Sequence, residues 1–367
     1  MKRLLCIVSA MNAGGAETFL MKMYRKLDTS RYQMDFCVNI QEKGLYDEEI
    51  KELGGRIFYI PPKSQGTRIF KQELRKVIRD NHYKYVMRIT SNAMGFWDLK
   101  IAKDAGAEVC IARSSNSGDA EGIIATVAHY IGKILYANSI DVKIAPSDLA
   151  AIYTFGKKDF KNGDIHILHN ALDLNVYKFI KTKRENIRNQ FEIDEDTILI
   201  GHVGRFMTQK NHAFLLKIFN YFHKKHFKSK LLLVGDGELR DSIETEVTML
   251  GLRESVIFTG VRSDIPDILS AMDIMLLPSL YEGMPNTVIE AQATGLPCVI
   301  SSTITREADV TGLVRYVPID QGVECWEKPM LELCGIKRNN TTHKMLNAGY
   351  SIDTEVLRFT EMVFERK

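Results

Sequence analysis

Short, unbroken apolar runs alternate along this chain with stretches in which apolar residues recur at helical spacing. RLLCIVSAM at the start predicts a buried strand, NAGGAE a tight glycine turn, and ETFLMKMYRKL a helix carrying Phe19, Leu20, Met23 and Leu27 on one side. YQMDFCVNI and GGRIFYIPP predict strands separated by GLYDEEIKELG, and YKYVMRIT, AEVCIARSS and DVKIAPS continue the series. Beyond DIHILHNALDLNVY a basic helical stretch leads into a second series, TILIGHVGRF, KLLLVGDGEL, SVIFTGV, DIMLLPS and PCVISS, again with helices between. Repeated β-α units of this kind imply mostly parallel sheets with helices on both faces. The fold class expected is therefore α/β: two doubly wound Rossmann-like domains facing a cleft, with the boundary near His169 and Asn170. That gives domains of 1–169 and 170–350, and 351–367 predicts a C-terminal amphipathic helix packing back on the first.

Composition agrees with two domains, since 367 residues, 45% of them hydrophobic, exceed what one core holds comfortably and exclude a fibrous or wholly disordered chain. The formal charge of +3 is small but uneven: TRIFKQELRKVIRDNHYKYVMR (67–88) and YKFIKTKRENIRNQ (177–190) are basic. Such stretches suit anionic phosphates or an anionic membrane surface, or are simply solvated helix faces. Apolar residues at 70, 74, 77 and 78 give the first of them a core side as well. The six cysteines are scattered without a C-x-x-C pair, as expected of reduced, mostly buried thiols in a cytoplasmic protein. No apolar run reaches the roughly 18 residues of a membrane span, and MKRLLCIVSAM is too short for a signal peptide, so any membrane contact is expected to be peripheral.

Ligands of open α/β sheets bind beyond the carboxyl ends of the strands, which directs attention to the strand-to-helix loops. NAGGAE puts Gly14 and Gly15 where the first strand gives way to a helix, a place where backbone N–H groups can approach an anion or merely make a turn. GHVGRFMTQKN delivers Gly204, Arg205 and Lys210, and a guanidinium and an ammonium together can neutralise a diphosphate. In LYEGMPNTVIEAQATG, Glu282 falls on a loop after DIMLLP, Pro285 fits the first position of a helix, and Glu290 lies in that helix's second turn. The unpaired N–H groups around Asn286 and Thr287 then form an anion site between two carboxylates able to hold hydroxyls. Two readings follow: an acid/base pair of a hydrolase, or two hydroxyl clamps flanking a diphosphate. The neighbouring Arg205 and Lys210 favour the second.

These motifs in this order, G-G-x-E, then GR with a lysine five residues on, then E-x7-E before a GLP stop, resemble the GT-B glycosyltransferases of family 4, and within it the bacterial capsular and exopolysaccharide enzymes. The resemblance covers most of the chain. It implies retaining, metal-independent transfer of a sugar from a nucleotide-sugar donor, here expected to be a UDP-sugar, to a lipid-linked glycan, with no cofactor and no nucleic-acid partner. The first domain would then serve the acceptor and the second the donor, with the basic amino-terminal helix resting on the anionic inner leaflet of the membrane. Arg205, Lys210 and Glu282 would be catalytic, the two cations stabilising the departing diphosphate and Glu282 holding sugar hydroxyls. Glu290 would hold the ribose, Gly283, Met284, Pro285, Asn286 and Thr287 would meet sugar and phosphate, Val261 would lie beside the base, and Gly14, Gly15 and Gly204 would border the phosphates. One departure stands out: where relatives read I-A-H-S-H-N this chain reads IARSSN, so Arg113 and Ser115 replace both histidines, and Arg113, Ser115 and Asn116 are the acceptor-side candidates. His129, His166 and His169 are the alternatives for the family histidine that this departure removes. Asp194 and Asp196 form a D-x-D in a charged linker and read as a solvated loop rather than a metal site; Asp236 and Gly237 read as a strand-end turn. A non-hydrolysing sugar-nucleotide epimerase and a non-catalytic nucleotide-sugar binding subunit are the alternatives.

Overall fold

A computed structural model describes residues 1–12, 14–115 and 123–366, with the backbone alone at 123 and 124. The chain divides into two units, Met1–Leu172 with Gly349–Lys367, and Asp173–Ala348.

Unit 1 is built on a seven-stranded sheet, β1 (Lys2–Val8), β2 (Tyr32–Val38), β3 (Ile57–Tyr59), β4 (Tyr85–Thr90), β5 (Val109–Ser114), β6 (Val142–Ala145) and β7 (Ile165–Ile167), in the order β3-β2-β1-β4-β5-β6-β7. Unit 2 has six strands, β8 (Ile198–Val203), β9 (Ser229–Val234), β10 (Val256–Gly260), β11 (Ile274–Leu277), β12 (Cys298–Ser301) and β13 (Val314–Val317), ordered β10-β9-β8-β11-β12-β13. Every pairing between these strands is parallel. Parallel strands need both faces covered, which is why residues 4–8 of β1 and all of β11 read as continuous apolar runs and are buried. In each sheet the strand order reverses once, between β1 and β4 in unit 1 and between β8 and β11 in unit 2. Loops leaving the carboxyl ends of two strands diverge at such a point and leave a crevice.

The edge strands β7 and β13 lie within DIHILHN and LVRYVP, which the apolar-run reading passes over. Both are short and only partly buried, with His166 and Arg315 exposed, so neither presents a continuous apolar run. The final helix, Ile352–Phe364, belongs to unit 1, where Phe359 meets Phe19 edge-on and Phe364 stacks on Tyr32. Leu172, where the chain leaves unit 1, forms a parallel bridge with Ser351, where it returns.

Candidate active site

The loops after β8 and β11 converge at the switch point of unit 2. After β8 the backbone passes Gly204 and the exposed Arg205 and closes a 3-10 turn, Thr208–Lys210, ended by Asn211 in the left-handed region at φ 56°. Lys210 Nζ donates to Glu282 Oε1 at 2.7 Å, with side chains only 14% and 9% exposed. Gln209 fastens the same loop, donating through Nε2 to the Tyr281 carbonyl at 2.9 Å and to Glu282 Oε2 at 3.3 Å, while its own carbonyl accepts from Leu280 N–H at 2.9 Å. Lys210 and Glu282, assigned from sequence to different parts of a ligand, are thus one ion pair. Arg205 makes no hydrogen bond or ion pair to any described residue, so it carries the uncompensated positive charge.

Two histidines lie beneath this pair. His202, on β8, is fully buried and donates through Nδ1 to the Leu276 carbonyl at 2.9 Å. Its ring meets that of His212 edge-on at 4.7 Å, and His212 in turn lies 4.7 Å from Phe206. His202 Nε2 and both ring nitrogens of His212 are buried without a hydrogen-bond partner among the described residues. Burial, aided by the nearby Lys210 charge, brings His212 down to about 4, and burial and the adjacent His212 push His202 well below the ordinary histidine range. Both are neutral at physiological pH. A side chain at Gly204 would come within 3.3 Å of both His202 Nε2 and Lys210 Cε, so glycine there lets the lysine stem lie close over the imidazole.

The next loop meets the first through backbone. Gly204 N–H donates to Val234 O, and Gly235 N–H to Gly260 O. Gly235 has φ 132°, and a Cβ on it would lie 2.1 Å from the Gly204 carbonyl oxygen, so no other residue fits. Asp236 caps its own turn through Oδ1 to Gly237 N–H at 2.7 Å, and Val261, after β10, is 80% exposed.

Beyond Glu282, the helix runs Asn286–Ala293 with Pro285 as its N-cap, not its first helical residue as expected. Proline has no N–H and no side-chain acceptor, so Pro285 gives the first turn no side-chain cap, and the buried Thr287 hydroxyl has no hydrogen-bond partner among the described residues. Glu290, partly buried one turn on, accepts a hydrogen bond from Tyr177, whose phenol is held up, first by burial and then by the Glu290 charge. Tyr177 and Gln209 were not singled out from sequence: Gln209 adjoins Lys210, but nothing in DLNVYKF marks Tyr177. Asp194 and Asp196 are exposed at the opposite end of β8, and Asp196 pairs with Lys228.

In unit 1 a polar cavity of about 360 Å³ opens at the β1/β4 switch point, lined by Ser9, Glu17, Lys63, Arg88, Asn92 and Ser115 among others. Arg88 and Lys63 flank buried Asp98 at 3.1 and 2.6 Å. Gly14 is the N-cap of the helix Gly15–Lys26, and the Glu17 carboxylate folds back beside it, where an anion was expected. Burial raises the Glu17 carboxyl above its ordinary value.

The acceptor-side expectation for Arg113 needs correcting. Its guanidinium is 1% exposed, lies 3.5 Å from the Phe19 ring centre and donates to Asn170 Oδ1 at 2.7 Å. Burial brings it down to about 9. A cation enclosed in this way presents no charge to an acceptor; it ties β5 to the segment leading out of unit 1. Ser115 is exposed at the cavity edge, and Asn116 lies outside the described residues. His129 is held between the Ala93 amide and the Tyr153 carbonyl, His169 bonds the Pro146 carbonyl and stacks on Tyr350, and His166 is exposed on β7.

Two parallel-sheet Rossmann-like units, one carrying a cation, a carboxylate and a helix N-terminus on its strand-end loops, form the architecture of the GT-B enzymes. The family described as glycosyl transferases group 1 matches residues 197–333. EpsF of Bacillus subtilis (strain 168), by name a glycosyltransferase, is 33% identical over 97% of this chain and 94% of its own. The Escherichia coli UDP-Gal:alpha-D-GlcNAc-diphosphoundecaprenol alpha-1,3-galactosyltransferase is 33% identical over 38% of this chain and 36% of its own. Among solved structures, Anabaena Alr3699/HepE in complex with UDP and glucose superposes with a TM-score of 0.77, at 18% identity, over 98% of this chain and 99% of that one. The chain belongs to the group 1 glycosyltransferases, of GT-B fold and GT4-like type.

Proposed function

We propose that this glycosyltransferase moves a sugar from a UDP-sugar to a lipid-linked glycan during synthesis of a bacterial surface polysaccharide, with retention of configuration and without a metal. The observation that carries the reading is the partly buried Lys210–Glu282 ion pair with exposed Arg205, unpaired among the described residues, on the loops of the β8/β11 switch point. As the bond from the anomeric carbon to phosphate breaks, negative charge grows on the leaving diphosphate. Fixed cations and helix-end amides stabilise that charge without reorganising. Arg205 offers a guanidinium fork, Lys210 a point charge, and the first turn of the helix Asn286–Ala293 its N–H groups. Together these supply the neutralisation that a divalent cation gives in other phosphate chemistry. Glu282 accepts donor-sugar hydroxyls, and Glu290, backed by Tyr177, accepts those of the ribose. The UDP and lipid-linked parts of the reading draw support from the Escherichia coli relative, whose name states both.

The test is transfer from UDP-, GDP- and ADP-sugars to a diphosphate-linked lipid acceptor, with and without chelator. Product with an unchanged anomeric configuration, from a UDP-sugar and in chelator, is expected. Epimerised UDP-sugar formed without acceptor and without free UDP would move the protein to the epimerases. Donor binding with no turnover on any acceptor would make it a binding subunit.

A further inference from the structure

Unit 2 holds a cavity of about 270 Å³ at the carboxyl end of the helix Asn286–Ala293, lined by Lys178, Phe179, Thr294, Arg338, Asn340 and Thr342 among others. Its charged residues, Lys178 and Arg338, are both cations, and no carboxylate lines it among the described residues. Arg338 donates through Nη1 to the Thr294 carbonyl at 3.0 Å and through Nη2 to the Leu269 and Met272 carbonyls at 2.8 and 2.5 Å. Its guanidinium lies 5.4 Å from the Phe179 ring centre, and its Nε–H makes no hydrogen bond to a described residue. Burial, with the charge of Arg184 close by, brings it down to about 9. Arg184 and Arg188 already share Asp273, at 2.7 and 3.3 Å, so three guanidiniums stand around one carboxylate. Helix-end carbonyls offset part of that excess charge, and a bound anion would offset the rest.

The wall of the cavity is pinned to the helix end. A Cβ on Gly295, at φ 70°, would lie 2.5 Å from the Asn339 carbonyl oxygen, so backbone presses on backbone there. Thr341 Oγ1 donates to the Gln292 and Ala293 carbonyls at 2.7 and 3.0 Å and fastens the same segment. The Asn340 side-chain oxygen accepts from Thr342 N–H at 2.9 Å, which leaves its amide N–H groups, the Thr342 hydroxyl, the Arg338 Nε–H and the exposed Lys178 ammonium to meet a ligand. These are donors, two of them charged. A phosphate monoester, with a charge of about −1.5 to −2 at pH 7 and acceptor oxygens, matches that set. Phe179 offers an apolar surface to the carbon part of the ester. The volume lies just under the roughly 300 Å³ at which clefts for drug-sized ligands begin, so the ester is small.

We propose that this cavity is an effector site for a small phosphate ester, and that its occupancy tightens nucleotide-sugar binding. Phe179 lies two residues beyond Tyr177, whose phenol bonds Glu290, and Thr294 directly follows the helix that carries Glu290. A ligand resting on Lys178, Phe179 and Arg338 holds both partners of the Tyr177–Glu290 bond in place, so the nucleotide sugar meets a carboxylate already fixed. The coupling rests on the reading of Glu290 as a donor contact; the anion site itself does not.

Isothermal titration of the full chain with glucose 1-phosphate and with inorganic phosphate, using no donor and no acceptor, tests the site. Glucose 1-phosphate is expected to bind at one site, and more tightly than inorganic phosphate. Lys178→Glu should weaken it by at least about tenfold at an unchanged melting temperature, the worth of one charge-assisted hydrogen bond, and Arg205→Ala should leave it as in wild type. Saturating glucose 1-phosphate should lower the Kd of whichever of UDP, GDP and ADP binds best by about fivefold or more. Tyr177→Phe should abolish that change while glucose 1-phosphate still binds. Absence of binding by either phosphate overturns the site, as does binding that Arg205→Ala removes and Lys178→Glu does not, which would give the ligand to the donor loops. Equally tight binding of inorganic phosphate overturns the ester assignment, and a nucleotide Kd that ignores glucose 1-phosphate overturns the effector role. Glucose 1-phosphate binding that follows Lys178 while no nucleotide binds would leave the anion site standing and remove the donor reading instead.

Discussion

Lys210 and Glu282 neutralise each other at 2.7 Å while Arg205 stands exposed, so the site's cations do different work and their variants should differ. Arg205→Ala removes charge from the surface and breaks no contact to a described residue: kcat is expected to fall by about a hundredfold or more at an unchanged melting temperature. Lys210→Ala strands a largely buried carboxylate, so urea titration should show a stability loss of about 3–5 kcal/mol besides the lost transfer. Adding Glu282→Ala should return most of the stability and none of the activity. The neutral histidines beneath set a pH dependence. His212 is near 4 in the folded protein and near its ordinary 6.5 when unfolded, so the unfolded chain binds the extra proton between those values. Stability present above pH 6.5 is therefore lost as pH falls toward 4, by up to about 3 kcal/mol from this residue. His212→Phe should flatten the part of the melting curve series that lies in this window; an unchanged slope would show that the histidine does not titrate on unfolding. The placement of Arg205, Lys210 and Glu282 on strand-end loops was legible because charged residues interrupt apolar runs there. The histidines were not, since a buried histidine within GHVGRF looks like any other polar residue.

At the scale of elements, the strands fully enclosed by helices were readable as apolar runs, and the ones missed are edge strands with a charged or exposed middle. The loops are where sequence reading reaches least far, because their shape depends on backbone meeting backbone across strands. Gly235 is the clearest case: its φ and the Gly204 carbonyl 2.1 Å from its missing Cβ leave no room for a methyl group. Gly235→Ala is expected to cost about 3 kcal/mol or more and to shift the loop that carries Arg205. Denaturant titration reads the first effect and weakened donor binding the second; wild-type values for both would mean the loops move independently. The amphipathic period of 67–80 correctly gave a helix with Phe70, Leu74 and Ile78 inside. The same logic applied to 123–136 would have put its apolar side inward, whereas Gly132 lies against the Ala93 backbone and His129 and Lys133 bond Ala93 and Tyr153 on the inner side.

For the whole molecule, donor chemistry and unit organisation can be separated by experiment. A nucleotide-sugar binding the folded state at a hundred times its Kd stabilises that state by about 2.7 kcal/mol. Thermal scans with UDP-, GDP- and ADP-sugars should therefore raise the transition of Asp173–Ala348, and only for the matching nucleotide. Expressed alone, that segment should still fold and still respond, because its six strands and their core residues lie within it.

The bridge between Leu172 and Ser351 has a consequence for synthesis. Unit 2 is inserted into unit 1, and the helix Ile352–Phe364 that covers Phe19 and Tyr32 leaves the ribosome after all of unit 2. Although domains commonly fold in the order they are made, here the amino-terminal strands must wait, with part of their core bare, while the inserted unit is completed. Protease pulses on stalled nascent chains should find residues 173–348 protected before residues 1–172.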